Sequence, residues 1–152
     1  LASEPLLFQR GRLPFATGGV RYVDAPKTHP VSEARIVVPV TPESVAEPVL
    51  AVVDTGAHWC IFEPFAAKIL ARSFQPIQRQ VALSTRLGVL HGALYREMIR
   101  IPADEGEPLD VEATVFVSPD WQGPSFIGYQ GLLERIRFAV DPETNLFYFG
   151  RI

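Results

Sequence analysis

Apolar and polar positions divide the chain into two textures. Residues 1–30 carry Pro5, Pro14, Pro26 and Pro30 together with Gly11, Gly18 and Gly19, a density of breakers that excludes helix and most central strands. This stretch reads as an arm with short edge strands at 6–8 and 20–23. Residues 1–33 are therefore taken as an N-terminal arm and 34–152 as the folded domain. From Ala34 onward Ile36, Val38 and Val40 recur at every second position, the period of a strand. A turn region at 41–48 and the unbroken apolar run 49–53 follow, predicting a hairpin whose second strand is buried on both faces.

Residues 63–70 read as a short helix. Pro64 sits in its first turn, where a missing N–H costs nothing, and the pairs Phe65/Ile69 and Ala66/Leu70 fall four apart. Segments 77–85 and 93–101 read as two strands of a long projecting hairpin with a glycine-bearing tip at 86–92. After a turn at 104–108, Leu109, Val111, Ala113, Val115 and Val117 alternate with Asp110, Glu112, Thr114 and Phe116, the pattern of a half-buried strand. A loop at 118–125 leads to Phe126-Ile127-Gly128, a short helix around 132–136, and a terminal pair of strands at 137–140 and 146–149. Seven or more strands with one or two brief helices predict an all-β body, closed or sandwich-like.

Composition narrows the classes of function. A chain of 152 residues that is 47% apolar and 20% charged can bury one core. With 17 acidic against 14 basic side chains the net charge is −3, so the basic excess that drives nucleic-acid binding is missing. The run 49–53 is the longest apolar stretch, far below the roughly 20 residues that span a bilayer, so a soluble chain with no membrane segment is expected. Cys60 is the only cysteine, which excludes an intrachain disulfide and a multi-cysteine zinc site and fits a reducing, cytoplasmic setting. The chain opens on Leu1, which leaves a trimmed leader or anchor open.

The chemistry concentrates in Val49-Leu50-Ala51-Val52-Val53-Asp54-Thr55-Gly56-Ala57. A hydrophobic strand that ends in a carboxylate places an ionisable group where desolvation opposes its charge. In the plainer of two readings this is a strand-end turn, with Asp54 capping the backbone and Gly56 supplying a positive φ. In the other, Asp54 is a working acid.

The order of elements favours the second. An apolar strand, Asp54-Thr55-Gly56-Ala57, a short helix, a projecting hairpin, then Phe126-Ile127-Gly128 followed by Gly131-Leu132-Leu133 resembles the retropepsin-like aspartic proteases, single-domain relatives of pepsin, over about residues 34–149. The cellular and bacterial members look nearest. The resemblance implies a half-barrel with a flap hairpin and peptide-bond hydrolysis by water held between two carboxylates. Those carboxylates share one proton, because like charges about 3 Å apart cannot both ionise, and this implies an acidic optimum. One Asp-Thr-Gly supplies half of that pair, so the resemblance implies a twofold homodimer with Asp54 from each subunit at the axis. It implies that Thr55 hydrogen-bonds across the axis and Gly56 lets the loop turn. Ala57, the tip residues Leu87, Gly88 and Val89, and Gly128 would lie on the substrate side. No metal and no cofactor is implied, and the partner is a peptide or protein substrate. The tip also reads as a plain exposed hairpin.

Two positions depart from the retroviral pattern: His58 stands where those members carry Asp, and Tyr129 where they carry Arg. The ion pair between those positions is lost, which supports an alternative in which the domain is catalytically silent and serves as a peptide-binding or dimerisation module. Residues 1–30 are a candidate self-inhibitory arm for the cleft. The terminal aromatics Phe138, Phe147, Tyr148 and Phe149 suit core packing better than an interface.

Other chemistries fail on the residues. His58 and Cys60 are two apart, but Trp59, Ile61 and Phe62 around them read as core, making Cys60 a buried structural thiol. His29 and His91 have no ligand spacing. No histidine follows Ser125 to complete a hydrolase triad. Only Lys27 and Lys68 exist, and no phosphate-binding glycine loop accompanies them. Trp59 and Trp121 read as packing residues.

Overall fold

The computed structural model describes residues 4–24 and 36–152. Its elements, in chain order, begin with β1 (Leu7–Gln9), β2 (Leu13–Ala16), β3 (Gly18–Arg21), β4 (Val23–Asp24), β5 (Ile36–Pro42), β6 (Val49–Asp54) and β7 (Cys60–Ile61). Helix α1 (Pro64–Ser73) precedes β8 (Gln78–Thr85), β9 (Gly88–Ile101), β10 (Glu105–Gly106), β11 (Leu109–Val117) and β12 (Ser125–Gly128). A single 3-10 turn at Leu133–Arg135 leads into β13 (Ile136–Asp141) and β14 (Leu146–Arg151). The all-β expectation, with a flap-like hairpin and one or two short helices, agrees with this architecture, which has one α-helix and one 3-10 turn among the described residues.

The largest sheet runs β4-β5-β6-β12-β7-β11-β9-β8, and the far end of β5 also pairs with β9 through Thr41↔Arg100 and Pro42↔Ile99. The pairings β5–β6–β12–β7–β11–β9–β5 therefore form a closed circuit, the barrel that alternating apolar strands need if their inner faces are to be covered. Val38, Val40, Ala51, Ile99, Ile101, Ala113, Val115 and Ile127 fill it. A second sheet, β10-β3-β14-β13, adds Val20, Phe147 and Phe149 to the same core. Phe147 and Phe149 are fully buried, the core role expected of them.

Helix α1 starts at Pro64, one residue after the predicted start, with Pro64 in its first turn as expected, and runs three residues past the predicted end. Of its two i,i+4 pairs only Ala66/Leu70 faces the core, while Phe65 is exposed. The helix ends where the chain turns extended at Phe74, whose N–H donates to the Leu70 carbonyl.

Several local expectations change. Segment 20–23 is split: β3 lies inside the second sheet between β10 and β14, and only β4 is an edge strand, beside β5. Tyr22, between them, is buried. β6 is not buried on both faces: Val49 and Ala51 face the core, whereas Leu50 between them points the other way and is 61% exposed. Strand β11 alternates until Ala113, then buries Thr114 and Phe116 as well, because Phe116 packs into a second cluster with Ile61 and Leu94. The helix expected at 132–136 is reduced to its one 3-10 turn. The arm–domain boundary at 33/34 lies outside the described residues, as do Pro26, Lys27, His29 and Pro30.

The fold also buries a carboxylate. Glu97 in β9 is 3% exposed, and its Oε1 accepts hydrogen bonds from the Ser44 N–H (2.7 Å) and the Ser44 hydroxyl. Its Oε2 has no hydrogen-bond partner among the described residues. Burial raises the Glu97 carboxyl above the ordinary glutamate range. The Ser44 hydrogen bonds oppose that shift, and the nearby Glu43 charge adds to it.

Candidate active site

Strand β6 delivers Asp54 to the end of the barrel, where it pairs in parallel register with Gly128 of β12. Asp54 is half-buried, and the two residues after it, Thr55 and Gly56, are exposed. The carboxylate folds back on its own loop. Its Oδ1 accepts the Gly56 N–H at 2.9 Å, and its backbone carbonyl accepts the Ala57 N–H at 3.2 Å. Gly56 is not among the positive-φ residues, so the loop does not need it for a left-handed turn. Its value lies in proximity: a Cβ there would stand 3.2 Å from Asp54 Oδ1 and crowd the oxygen that takes the N–H. The Thr55 hydroxyl makes no hydrogen bond among the described residues and faces outward.

A cleft of about 920 Å³ opens in front of this loop. Asp54, Gly56 and Ala57 lie on one side of it, and Thr85, Arg86 and Leu87 at the tip of the β8–β9 hairpin on another. The walls between them are apolar: Trp59, Ile61, Leu83, Trp121 and Phe126. Trp121 and Phe126 meet edge to face with centroids 5.9 Å apart, and the Trp121 indole N–H donates to the Pro124 carbonyl, which holds the ring in place.

The hairpin tip is tighter than expected. In place of a seven-residue loop, Arg86 and Leu87 alone form the turn, and Gly88 follows at φ +121°, a backbone conformation that side-chain-bearing residues rarely adopt. Thr85 pins it. Its hydroxyl donates to the Gly88 carbonyl at 2.8 Å and accepts the Leu87 N–H at 3.2 Å. Leu87 is 95% exposed, an apolar side chain with no cover in the isolated chain.

Among the residues expected on the substrate side, Ala57 and Leu87 line the cleft, while Gly88, Val89 and Gly128 do not. Gly128 is buried behind the loop, where a Cβ would lie 2.3 Å from the Trp59 carbonyl oxygen, so its bare backbone makes room for that strand. Trp59 and Trp121 pack against the Ile61, Leu94 and Phe116 cluster, the packing role expected of them; that they and Phe126 also wall the cleft was missed by sequence reasoning. The available signal was alternation along β12: Ile127 points to the core, so Phe126 must face the other way.

The positions that lack the ion pair are tied by backbone instead. The Tyr129 N–H donates to the Ala57 carbonyl at 2.7 Å and the Gly131 N–H to the His58 carbonyl at 2.9 Å, stapling the 129–131 segment to the loop after Asp54. His58 is exposed, whereas Cys60 is fully buried and its thiol is pushed up to about 12, chiefly by desolvation. A thiol that remains protonated is no nucleophile. Ser125 is buried too; its Oγ accepts the Glu63 N–H at 3.0 Å and joins β12 to the start of the helix. Among the described residues no three His, Cys, Asp or Glu side chains are grouped to hold a metal, and no helix is long and apolar enough to cross a membrane. His29 lies outside the described residues. Residues 4–24 contribute nothing to the cleft lining.

No family model and no curated protein matches this sequence. Among solved structures, the chain is similar to a retropepsin-like aspartic protease from Rickettsia conorii, with a TM-score of 0.51 and 17% identity over 87% of this chain and 89% of that one. Similarity at that identity speaks for the path of the backbone, and with the closed barrel and the projecting hairpin it establishes an all-β, retropepsin-like fold for the described chain.

Proposed function

We propose that the chain is an aspartic endopeptidase, active as a homodimer in which Asp54 of each subunit contributes one carboxylate. One observation carries the reading: Asp54 ends a barrel strand at the side of an apolar cleft, with the hairpin tip across from it and the Thr55-Gly56 loop uncovered. The Asp54 carboxylate accepts one N–H, from Gly56, and stays reachable from the cleft.

The chemistry follows from pairing. Two Asp54 carboxylates brought within hydrogen-bonding reach would hold one proton between them, as in aspartic proteases generally. The ionised one removes a proton from water as it attacks the peptide carbonyl, and the protonated one donates to the carbonyl oxygen; the resulting gem-diol then collapses, breaking the C–N bond as the proton taken from water passes to the leaving nitrogen. The exposed Thr55 and Gly56 are where a second copy would approach, which accounts for apolar Leu87 lying bare in the single chain. Trp59, Trp121 and Phe126 suit an extended peptide with a bulky apolar side chain near the cut, and closure of the hairpin tip would exclude bulk water.

The test is Asp54→Asn, which keeps the Gly56 N–H acceptor and removes the titrating group. Digestion of an unstructured peptide mixture should fall by at least about a thousandfold, with sedimentation and thermal midpoint unchanged. Undiminished cleavage by the variant defeats the proposal. A stable monomer that binds peptides without cutting them supports the silent binding module instead.

A further inference from the structure

The cleft lining is mostly apolar, with Ser84 and Thr85 as neutral polar members. Of its lining residues only Asp54, His58 and Arg86 carry ionisable side chains. Arg86 differs from the other two in position, since it belongs to the hairpin tip, across the cleft from the Asp54 loop. It also lacks a counter-ion: among the described residues Arg86 is exposed, with no ion pair or side-chain hydrogen bond, although the chain as a whole is acidic. The neighbouring arginines on this hairpin and its partner strand are engaged, Arg79 with Gln75, Arg96 with Glu112 and Arg100 with Asp110.

The tip geometry fixes the backbone from which that charge extends. Thr85 holds the turn by two hydrogen bonds and Gly88 takes a conformation that turns the chain sharply, so Arg86 starts from a defined backbone position at the cleft mouth. A guanidinium there meets apolar walls and a peptide below it. When a peptide fills the cleft and displaces water, an unpaired Arg is left with fewer water contacts, and a carboxylate on the peptide restores them with paired N–H···O bonds.

We infer that Arg86 makes this site selective for peptides carrying an acidic side chain a short distance from the apolar residues that fill the cleft. The inference rests on the peptide-cleft reading above but not on catalysis. Asp54 opposes an acidic residue placed directly over it, which puts the selected carboxylate toward the hairpin side.

Acetylated and amidated peptides, identical except for Glu, Gln or Lys scanned through positions flanking a bulky apolar pair, provide the test. Cleavage is read as kcat/KM with the unaltered protein, and binding by fluorescence anisotropy with Asp54→Asn. Glu should be favoured over Gln by about five- to tenfold at one or two adjacent positions, with Lys worst. Arg86→Ala should abolish the discrimination, Arg86→Lys retain part of it, and Arg86→Glu turn it toward Lys. Added salt should reduce it. Equal rates and affinities for the three series, or discrimination that survives Arg86→Ala, overturn the inference while leaving endopeptidase activity standing. Preference in binding with no cleavage keeps the inference and removes catalysis. Failure of every peptide to bind or be cut removes both. A preference appearing only when the peptide C-terminus is free assigns the carboxylate to the terminus and overturns side-chain selection.

Discussion

Gly128 pairs with Asp54 across the parallel strands β12 and β6, and the space left by its missing side chain is occupied by the backbone of Trp59. That contact joins the candidate acid to the cleft wall. The same segment of chain continues into Tyr129 and Gly131, whose N–H groups hold the carbonyls of Ala57 and His58. The Asp54 loop is therefore positioned by backbone on one side and by its own carboxylate on the other.

Gly128→Ala puts a methyl group within 3 Å of three Trp59 backbone atoms, none of which can rotate away as a side-chain end would. Overpacking of this kind costs about 1–3 kcal/mol. A chain of this size should then lose roughly 3–10 °C of thermal midpoint. Peptide cleavage at a temperature where the variant is fully folded should fall further than stability alone explains, because the loop moves with Trp59. An unchanged midpoint by calorimetry would show that the sheet yields easily here.

Glu97 ties stability to pH. Its carboxyl is raised in the folded chain by burial, so the folded state prefers the protonated form. The resulting stability increment is fully present below the ordinary glutamate value and is lost as pH rises through the higher folded value. Glu97→Gln keeps an acceptor for the Ser44 N–H and cannot ionise. The variant should gain on the parent steadily as pH is raised from acid to neutral, read as the difference in urea midpoints. A difference that stays constant with pH would show that Glu97 does not titrate with unfolding.

Thr85→Val deletes both hydrogen bonds that pin the hairpin tip while keeping the shape of the side chain. The tip is exposed and remote from the core, so global stability should change by less than about 0.5 kcal/mol. Amide exchange at Leu87 should accelerate, since its N–H loses its acceptor. Peptide KM should rise by about threefold as the tip closes less often in the right form. Unaltered Leu87 exchange would mean that the turn is held by its strands alone.

Much of the framework was legible along the chain. Strand β11 and the start of α1 stand where alternation and Pro64 put them, because period-two burial and helix-start chemistry are local properties. Asp54 was legible as the end of an apolar strand, and the structure places it at the end of β6 on the cleft. The wide tip expected at 86–92 shrank to two residues because cross-strand pairing, which a single strand does not reveal, continues through Gly88, Val89 and His91.

By itself, then, the order of residues determined the longer strands and the first turn of the helix, but not the short strands β2, β7 and β10. Tertiary structure alone decided which apolar residues face a core and which face a cleft. Trp59, Trp121 and Phe126 are chemically indistinguishable from packing residues until β12 is inserted between β6 and β7. Leu50 is exposed and Glu97 buried for the same reason: burial belongs to the neighbours a strand acquires, and those neighbours come from distant parts of the chain.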